Sequence, residues 1–498
     1  MMNTRTRKGN SMKGHPIILA WALLAAPLGA ATATAEDTNT LELIRQLQRR
    51  IDELEQKVRT LEAGKPPPPA PTDKAGRPPL EQPGEQLKTP QAETGLGGEA
   101  APARAGQAPK ISLGENGLSF SSADDRFKFR VRGYIQADGR FYLDDQNHSA
   151  TDTFLLNRAR PVFEGTVFNN YDFKLMPDFG QGRASIQDAF LDARFLPWLN
   201  VRAGKYKGPV GLERLQSARD LIFVERALPT DLVPNREIGV ALHGGFFNSA
   251  LEYEAGIFNG SPDGASNDAD ENDSKDFEGR LFAYPFKRLE FEPLRGLAIG
   301  VAGTTGHENG TAPSYKTISQ QTFFSYSPGV TANGTRNRIV PQAFYYWGPL
   351  GLLGEFVISS QDISSAGLHE RLDHSAWQVA AFYVLTGEPA SYTGVVPTRP
   401  FHPGQGQWGA LELVARVSQL TIDPDAFRNL GTPAAPVFLA NPASSASKAT
   451  AFSAGLNWYL NRGVKFMVDY EHTQFDGGAP NGDRRDEHAI LSRVQVVF

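Results

Sequence analysis

Residues 127–142, FKFRVRGYIQADGRFY, alternate in character. Phe127, Phe129, Val131, Ile135, Ala137 and Phe141 are apolar or small, whereas Lys128, Arg130, Arg132, Tyr134, Gln136, Asp138 and Arg140 are polar and mostly basic. Side chains point to opposite faces along a strand, so one face of this segment suits hydrocarbon and the other suits water and negative charge. A soluble strand is about five or six residues long. This pattern continues far beyond that, enough to cross a bilayer at the tilt of a barrel strand.

The same period of two recurs along the chain and predicts sixteen strands: 127–142, 153–168, 171–179, 185–196, 199–206, 236–248, 249–259, 277–286, 296–306, 338–348, 350–361, 374–386, 408–421, 450–460, 463–475 and 486–498. The connections alternate in length. Residues 169–170, 197–198, 247–248, 348–351 and 461–462 read as tight turns, 287–295 and 387–407 as looser ones, and 207–235, 260–276, 307–337 and 422–449 as long loops. Short turns on one side and long loops on the other are the habit of bacterial outer-membrane barrels, with both termini in the periplasm. The chain ends on Phe498 with Val496, Val494 and Ile490 on its own face, as a closing strand at a barrel seam requires. The expected fold is therefore an all-β, sixteen-stranded antiparallel transmembrane barrel over residues 110–498.

The segment before it differs in composition. Residues 1–35 combine Arg5, Arg7, Lys8 and Lys13 with an apolar run from Ile17 to Ala31 and the small residues Ala33 and Ala35, the pattern of a cleaved export signal. Within 36–63, Ile44, Ile51 and Val58 repeat at one heptad position and Leu47, Leu54 and Leu61 at another. In a parallel, in-register assembly Arg50 would face Glu55 and Lys57 would face Glu62, which predicts a short self-associating coiled coil. Residues 64–109, with PPPPAP and RPP among Gly and Ala, read as a disordered linker.

Composition narrows the function classes. Mean hydropathy is −0.36, which excludes a helical membrane bundle but suits a barrel in which only alternate residues meet lipid. The absence of cysteine removes disulfides, zinc fingers and thiol catalysis together. Residues 108–498 carry 36 Lys plus Arg against 43 Asp plus Glu, so any preference for anions must come from local placement, and no nucleic-acid partner is expected. The histidines show no metal spacing, and there is no GxSxG, HExxH or phosphate-binding glycine loop. No enzyme activity, cofactor or metal is expected; His369 and His374 are placed in a charged outer loop.

The chemistry concentrates in basic side chains on the polar faces. Lys128, Arg130, Arg132 and Arg140 occupy the first strand, Arg158 and Arg160 the second, and Arg194 the fourth. Guanidinium forks bind phosphate and carboxylate alike, so these arginines either select anions or balance acids such as Asp138, Glu164, Asp188 and Asp192. The loop 207–235 carries Leu212, Leu215 and the run Leu221-Ile222-Phe223-Val224 beside Glu213, Arg214, Arg219, Asp220, Glu225 and Arg226. Apolar residues of that number imply folding back into the lumen, which would narrow the pore and turn Arg214 and Arg226 toward it.

Several stretches resemble the phosphate- and pyrophosphate-selective outer-membrane porins O and P. They are FKFRVRGYIQADGRFY, NRARPVFEGTVFNNYDFKLMPDF, VRAGKYKGPVGLERLQS followed by VERALPTDLV, LTGEPASY, FSAGLNWYLN and the closing RVQVVF, spread in order over about residues 115–498. The resemblance implies a homotrimer of sixteen-stranded barrels with inward-folded loops, an arginine ladder and a central anion-binding constriction. Position by position, it places the family's central lysine at Arg214, its aspartate at Asp188, the arginine of its ER motif at Arg226 and one of two paired arginines at Arg158. Tyr134 and Asn157 stand where the family has arginines, and Arg160 and Lys207 where it has aromatic residues. The fifth loop, arginine-rich in the family, has only Lys316, Arg336 and Arg338. The resulting expectation is a porin for small hydrophilic solutes in the outer membrane, among lipid and lipopolysaccharide, leaning toward phosphate, pyrophosphate or polyphosphate. The candidate anion-binding and pore-lining residues are Arg214, Arg226, Arg158, Arg160, Lys207, Asp188, Arg130, Arg132 and Arg140. The alternative is a general, non-selective porin that also tethers the envelope through its coiled coil, with peptidoglycan as a possible contact.

Overall fold

The computed structural model describes residues 108–115, 117–145, 150–269, 272–365 and 367–498. The export signal, coiled coil and nearly all of the linker expected from the sequence lie outside the described residues.

Sixteen strands form the wall. The first eight are β1 (Lys128–Leu143), β2 (Thr153–Val167), β3 (Tyr171–Asp178), β4 (Ser185–Leu196), β5 (Leu199–Tyr206), β6 (Glu237–Phe246), β7 (Leu251–Phe258) and β8 (Asp276–Ala283). The others are β9 (Leu297–Thr311), β10 (Thr331–Trp347), β11 (Leu350–Ser365), β12 (Leu368–Val384), β13 (Ala410–Thr421), β14 (Ala446–Tyr459), β15 (Val464–Ala479) and β16 (Glu487–Val497). Each pairs antiparallel with its neighbour in the chain, and β16 returns to β1 with Val494 opposite Ala137 and Val496 opposite Ile135, so the sheet closes. Closure leaves no strand edge unpaired in lipid. A hairpin, Lys110–Gly114 with Gly117–Ser121, adds to the start of β1.

The alternation sorts the two faces as the pattern requires. Ile135, Val240, Ile299, Ile339, Val379, Leu413, Val468 and Val494 are exposed on the outer face. Gln136, Asp138, Arg160, Gln378, Arg416 and Arg493 are buried inside. Along these strands the inner face carries a polar network and the outer face is apolar, as a wall between lipid and a water-filled lumen requires. Aromatic rings mark the rim near the short turns: Trp198, Phe246 and Tyr253 pack in a row, and Phe401 meets Trp458 with ring centroids 5.3 Å apart. At the seam Gly133 and Phe498 exchange backbone hydrogen bonds of 2.7 and 2.9 Å. A Cβ at Gly133 would stand 3.0 Å from the Phe498 ring, so glycine there lets the terminal ring lie flat on β1.

Strands β9 to β12 run past the lengths that the alternation marks. The loop expected at 307–337 shrinks to 312–330, and β11 and β12 stay paired up to Ser365 and Leu368. The added residues, TANGTRN on β10 among them, carry too few apolar side chains to mark a face by alternation, although Ala332 and Ile363 are buried inside. His369 and His374 consequently sit on β12 and not in a loop. His374 is buried inside the barrel, with Tyr326 Oη 2.6 Å from its Nε2 and its Nδ1 accepting from Asp423 N at 3.1 Å.

One internal ion pair shows how the seam is held. Arg493 on β16 donates from Nε and Nη2 to the two oxygens of Asp138 on β1, both at 2.7 Å and fully buried. Replacing Arg493 with Met leaves a buried carboxylate without its partner, which costs about 3–5 kcal/mol. We expect R493M to lose its folded electrophoretic mobility at a clearly lower temperature than the parent protein.

Candidate functional site

The site is built on the segment between β5 and β6, residues 207–236, which lies inside the barrel. Its start needs a left-handed turn. Gly211 has φ 83°, with Val233 and Arg214 3.0 and 2.9 Å from where a Cβ would be, and the turn launches one turn of helix, Leu212–Leu215. A second short helix, Leu228–Leu232, begins with Pro229 in its first turn and leads back to the wall.

Apolar side chains fix this segment to the inner wall. Leu212 and Phe223 pack among Phe282, Leu353, Phe382 and Val414, while Val224, Leu228, Leu232 and Val233 join a second cluster with Phe324, Val357 and Leu420. The wall also satisfies the segment's polar backbone. Glu355 accepts from Leu212 N at 2.7 Å, Asp469 accepts from Val224 N at 2.6 Å, and Asn457 and Lys465 donate to the carbonyls of Ile222 and Leu221 at 2.9 and 2.8 Å. Gln136 and Gln495 donate to the carbonyls of Ala218 and Arg219, each at 2.9 Å. Contacts from β1, β11, β14, β15 and β16 thus hold one loop across the lumen.

The acidic residues of the loop absorb much of the strand arginine charge. Glu225 accepts from Arg140 Nη2 at 2.9 Å and from Asn157 Nδ2 at 3.0 Å, and Arg158 Nη2 stands 3.8 Å away. Arg158 donates its other nitrogen to Gln136 Oε1 at 2.8 Å. Arg160 donates to Asp178 at 2.7 Å and to Tyr134 Oη at 2.9 Å. Arg132 clamps Glu164 with two bonds of 2.8 Å, and Arg130 shares that carboxylate at 3.5 Å. Asp188 lies between Lys174 and Arg236, at 2.7 and 2.8 Å.

Lys207, Arg214 and Arg226 behave differently. Among the described residues none of the three forms an ion pair with a carboxylate; their hydrogen-bond partners are backbone carbonyls. Lys207 Nζ and Arg226 Nη2 converge on the carbonyl of Gln216, at 2.8 and 2.7 Å, and Arg226 Nε donates to the Glu213 carbonyl at 3.1 Å. Arg214 donates from Nη2 to the Thr230 carbonyl, and its buried Nε has no partner. Burial and the guanidiniums of Arg226 and Arg236 push the Lys207 ammonium well below its usual range. Burial, then Arg214 and Arg158, bring Arg226 down to about 9. Both shifts are those of buried cations set close together, which Asp188 beside Lys207 and Glu213 beside Arg226 offset only in part.

Beside Lys207 lies a cavity of about 260 Å³ whose lining includes Arg132, Lys174, Arg202, Arg219 and Arg236 against the carboxylates of Asp188 and Glu254. Arg219 also borders a larger cavity of about 830 Å³ at the end where the short turns and Phe498 lie. A basic surface therefore continues from that vestibule to the loop. Lys174, Arg202 and Arg236 were not singled out from the sequence, and Arg219 only as one charge of the loop. Parity along the short strands β3 and β5 places Lys174 and Arg202 on the inner face, whereas Arg219 lies off the strands and Arg236, which opens the strand expected at 236–248, falls just before β6.

Porin O of Pseudomonas aeruginosa is 22% identical over 435 residues, covering 77% of this chain and 91% of that protein. A protein of Caulobacter vibrioides is 24% identical over 448 residues, covering 82% and 80%. Among solved structures, the outer membrane channel DcaP of Acinetobacter baumannii aligns with a TM-score of 0.48 and 12% identity over 76% of this chain and 99% of that one. An anion-selective porin from Comamonas acidovorans gives 0.47 and 10% over 75% and 100%. The family described as phosphate-selective porin O and P matches residues 129–498. With three quarters of its length in that match and a closed sixteen-stranded wall around an inward loop, the chain belongs to the phosphate-selective porin O and P family.

Proposed function

We propose that this porin lets small anions diffuse passively across the Gram-negative outer membrane, phosphate and its condensed forms first, as a homotrimer whose amino-terminal segment lies in the periplasm. The observation that carries the reading is the trio Lys207, Arg214 and Arg226, set on the loop without carboxylate partners while most of the strand arginines have them. A cation already paired has little field to offer a passing ion; an unpaired one in a low-dielectric passage focuses it strongly. The basic lining of the adjoining cavity, Arg219 and Arg236 included, raises the local anion concentration ahead of the trio. Lys207 and Arg226, which meet at the Gln216 carbonyl, supply the donors, and Arg214 adds its charge from the same loop. Conduction needs binding weak enough for release, so the affinity should be shallow.

Titrating single-channel chloride current with phosphate tests the reading. Partial block that saturates is expected; current unaffected by phosphate up to the concentration of the chloride itself would contradict it.

The crowding around Lys207 also predicts a pH effect. An anion between Lys207 and Arg226 favours the charged ammonium, so binding takes up a proton wherever Lys207 is neutral beforehand. Above the free-state value that proton must be supplied, and affinity falls as pH rises, by up to about tenfold per unit for one proton. Sulfate keeps its charge between about pH 6 and 9, which separates this effect from the titration of phosphate. Block by sulfate should weaken over that range, and a flat profile would mean that Lys207 stays charged without the anion.

A further inference from the structure

The two feet of the constriction loop stand beside a group of carboxylates outside the anion site. Glu237, the first residue of β6, and Asp276 and Glu278 of β8 place carboxylate oxygens within 4.8 Å of one another. Their exposures are 0%, 1% and 3%. No donor group of another residue reaches either oxygen of Glu237 or of Glu278, and the two carboxyls stand within hydrogen-bonding reach of each other. The nearest guanidiniums are shared with other carboxylates. Arg338 donates from Nε to Asp263 at 2.8 Å and Arg336 pairs with Glu308, so that Asp276 Oδ2 sees them only at 3.8 and 3.4 Å. Buried carboxylates left in this condition are costly unless a proton or a cation joins them.

The backbone leaves room for such a group. A Cβ at Gly208 would overlap Glu278 Oε2, one at Gly306 would overlap Asp276 Oδ1, and one at Gly260 would stand 3.1 Å from Asp276 Oδ1. Three glycines from three different segments thus surround the carboxylates. A cavity of about 210 Å³ is lined by Gly260 and Arg336, both neighbours of Asp276, together with Glu308 and Gln361 among others. The donors are all oxygen and carry up to three negative charges. An all-oxygen, carboxylate-rich donor set suits a hard divalent cation, and calcium accepts such oxygens at about 2.3–2.6 Å in a flexible shell.

We propose that Glu237, Asp276 and Glu278 form a divalent-cation site, calcium first, that ties together the two feet of the constriction loop. Gly208 lies against Glu278 at the loop's beginning and Glu237 follows directly on its end, so one ion would hold both. The sequence shows no metal spacing here because β7 separates the two strands that supply the ligands.

The test uses the full chain refolded in detergent without lipopolysaccharide, stripped with EDTA and titrated calorimetrically with CaCl₂. The expected result is one Ca²⁺ per protomer at sub-millimolar affinity, weakened at least tenfold in E237Q and in E278Q. EDTA should also make the open-channel current of the parent protein noisier. No stoichiometric binding by the parent protein would overturn the proposal and leave a shared proton between Glu237 and Glu278. Equal binding by the parent and E278Q would overturn it as well, and because Glu278 lies within β8 and not at the junction of loop and strand, E278Q serves if E237Q does not fold.

Discussion

Replacing Lys207 and Arg226 together by alanine should lower the anion-to-cation permeability ratio about tenfold and remove block by phosphate. At an effective dielectric of about 20, one charge about 5 Å from an ion is worth roughly 3 kcal/mol. Salt screens part of this, and about 1.4 kcal/mol of lost preference already gives tenfold. The informative comparison is Arg160→Ala. Its guanidinium already serves Asp178 and Tyr134, so its removal should leave phosphate block intact even though a lumen cation is lost. If both variants lose block equally, selection would rest on total lumen charge and not on the loop cations. Reversal potentials and phosphate titrations of the two variants, measured side by side, decide between these outcomes.

The second large effect concerns the loop's anchorage. Phe223 is fully buried against the wall, and the Arg416 guanidinium lies 4.1 Å over its ring. Truncating a buried Phe to Ala costs about 3–5 kcal/mol. The barrel itself rests on a closed set of strand ladders that does not include this residue, so the cost should fall on the loop before the wall. F223A is expected to raise single-channel conductance severalfold, to increase current noise and to expose the loop to protease, with a smaller change in the melting of the barrel. A lower melting temperature with unchanged conductance would mean that this limb does not set the width of the pore.

How much of this could be read from the chain follows from the physics of each part. The strands meeting lipid on one face were legible because hydrocarbon demands an apolar residue at every second position, and Phe127 to Tyr142 obeys it almost without exception. The outer ends of β9 to β12 were not, since no lipid constrains residues such as Asn333 or Ser364. The inward course of the loop was legible from Leu221 to Val224, four apolar residues with no place on an exposed loop. The pairing of charges was not. Glu225 reads as one more loop acid, yet it gathers Arg140, Asn157 and Arg158 from β1 and β2. Arg160 and Arg226 look equivalent in the sequence, and only the fold shows that one has a carboxylate and the other a carbonyl. The aspartate that the family resemblance set beside the central cation, Asp188, is held by Lys174 and Arg236.

The central claim is that cations on the loop select anions in a lumen whose strand arginines are largely neutralised. The most direct measurement is the reversal potential of the purified protein in a planar bilayer under a gradient of potassium chloride. An anion-selective potential is predicted, despite the net negative charge of the barrel region. A potential near zero, or one selective for cations, would contradict it and make the lining a balanced one.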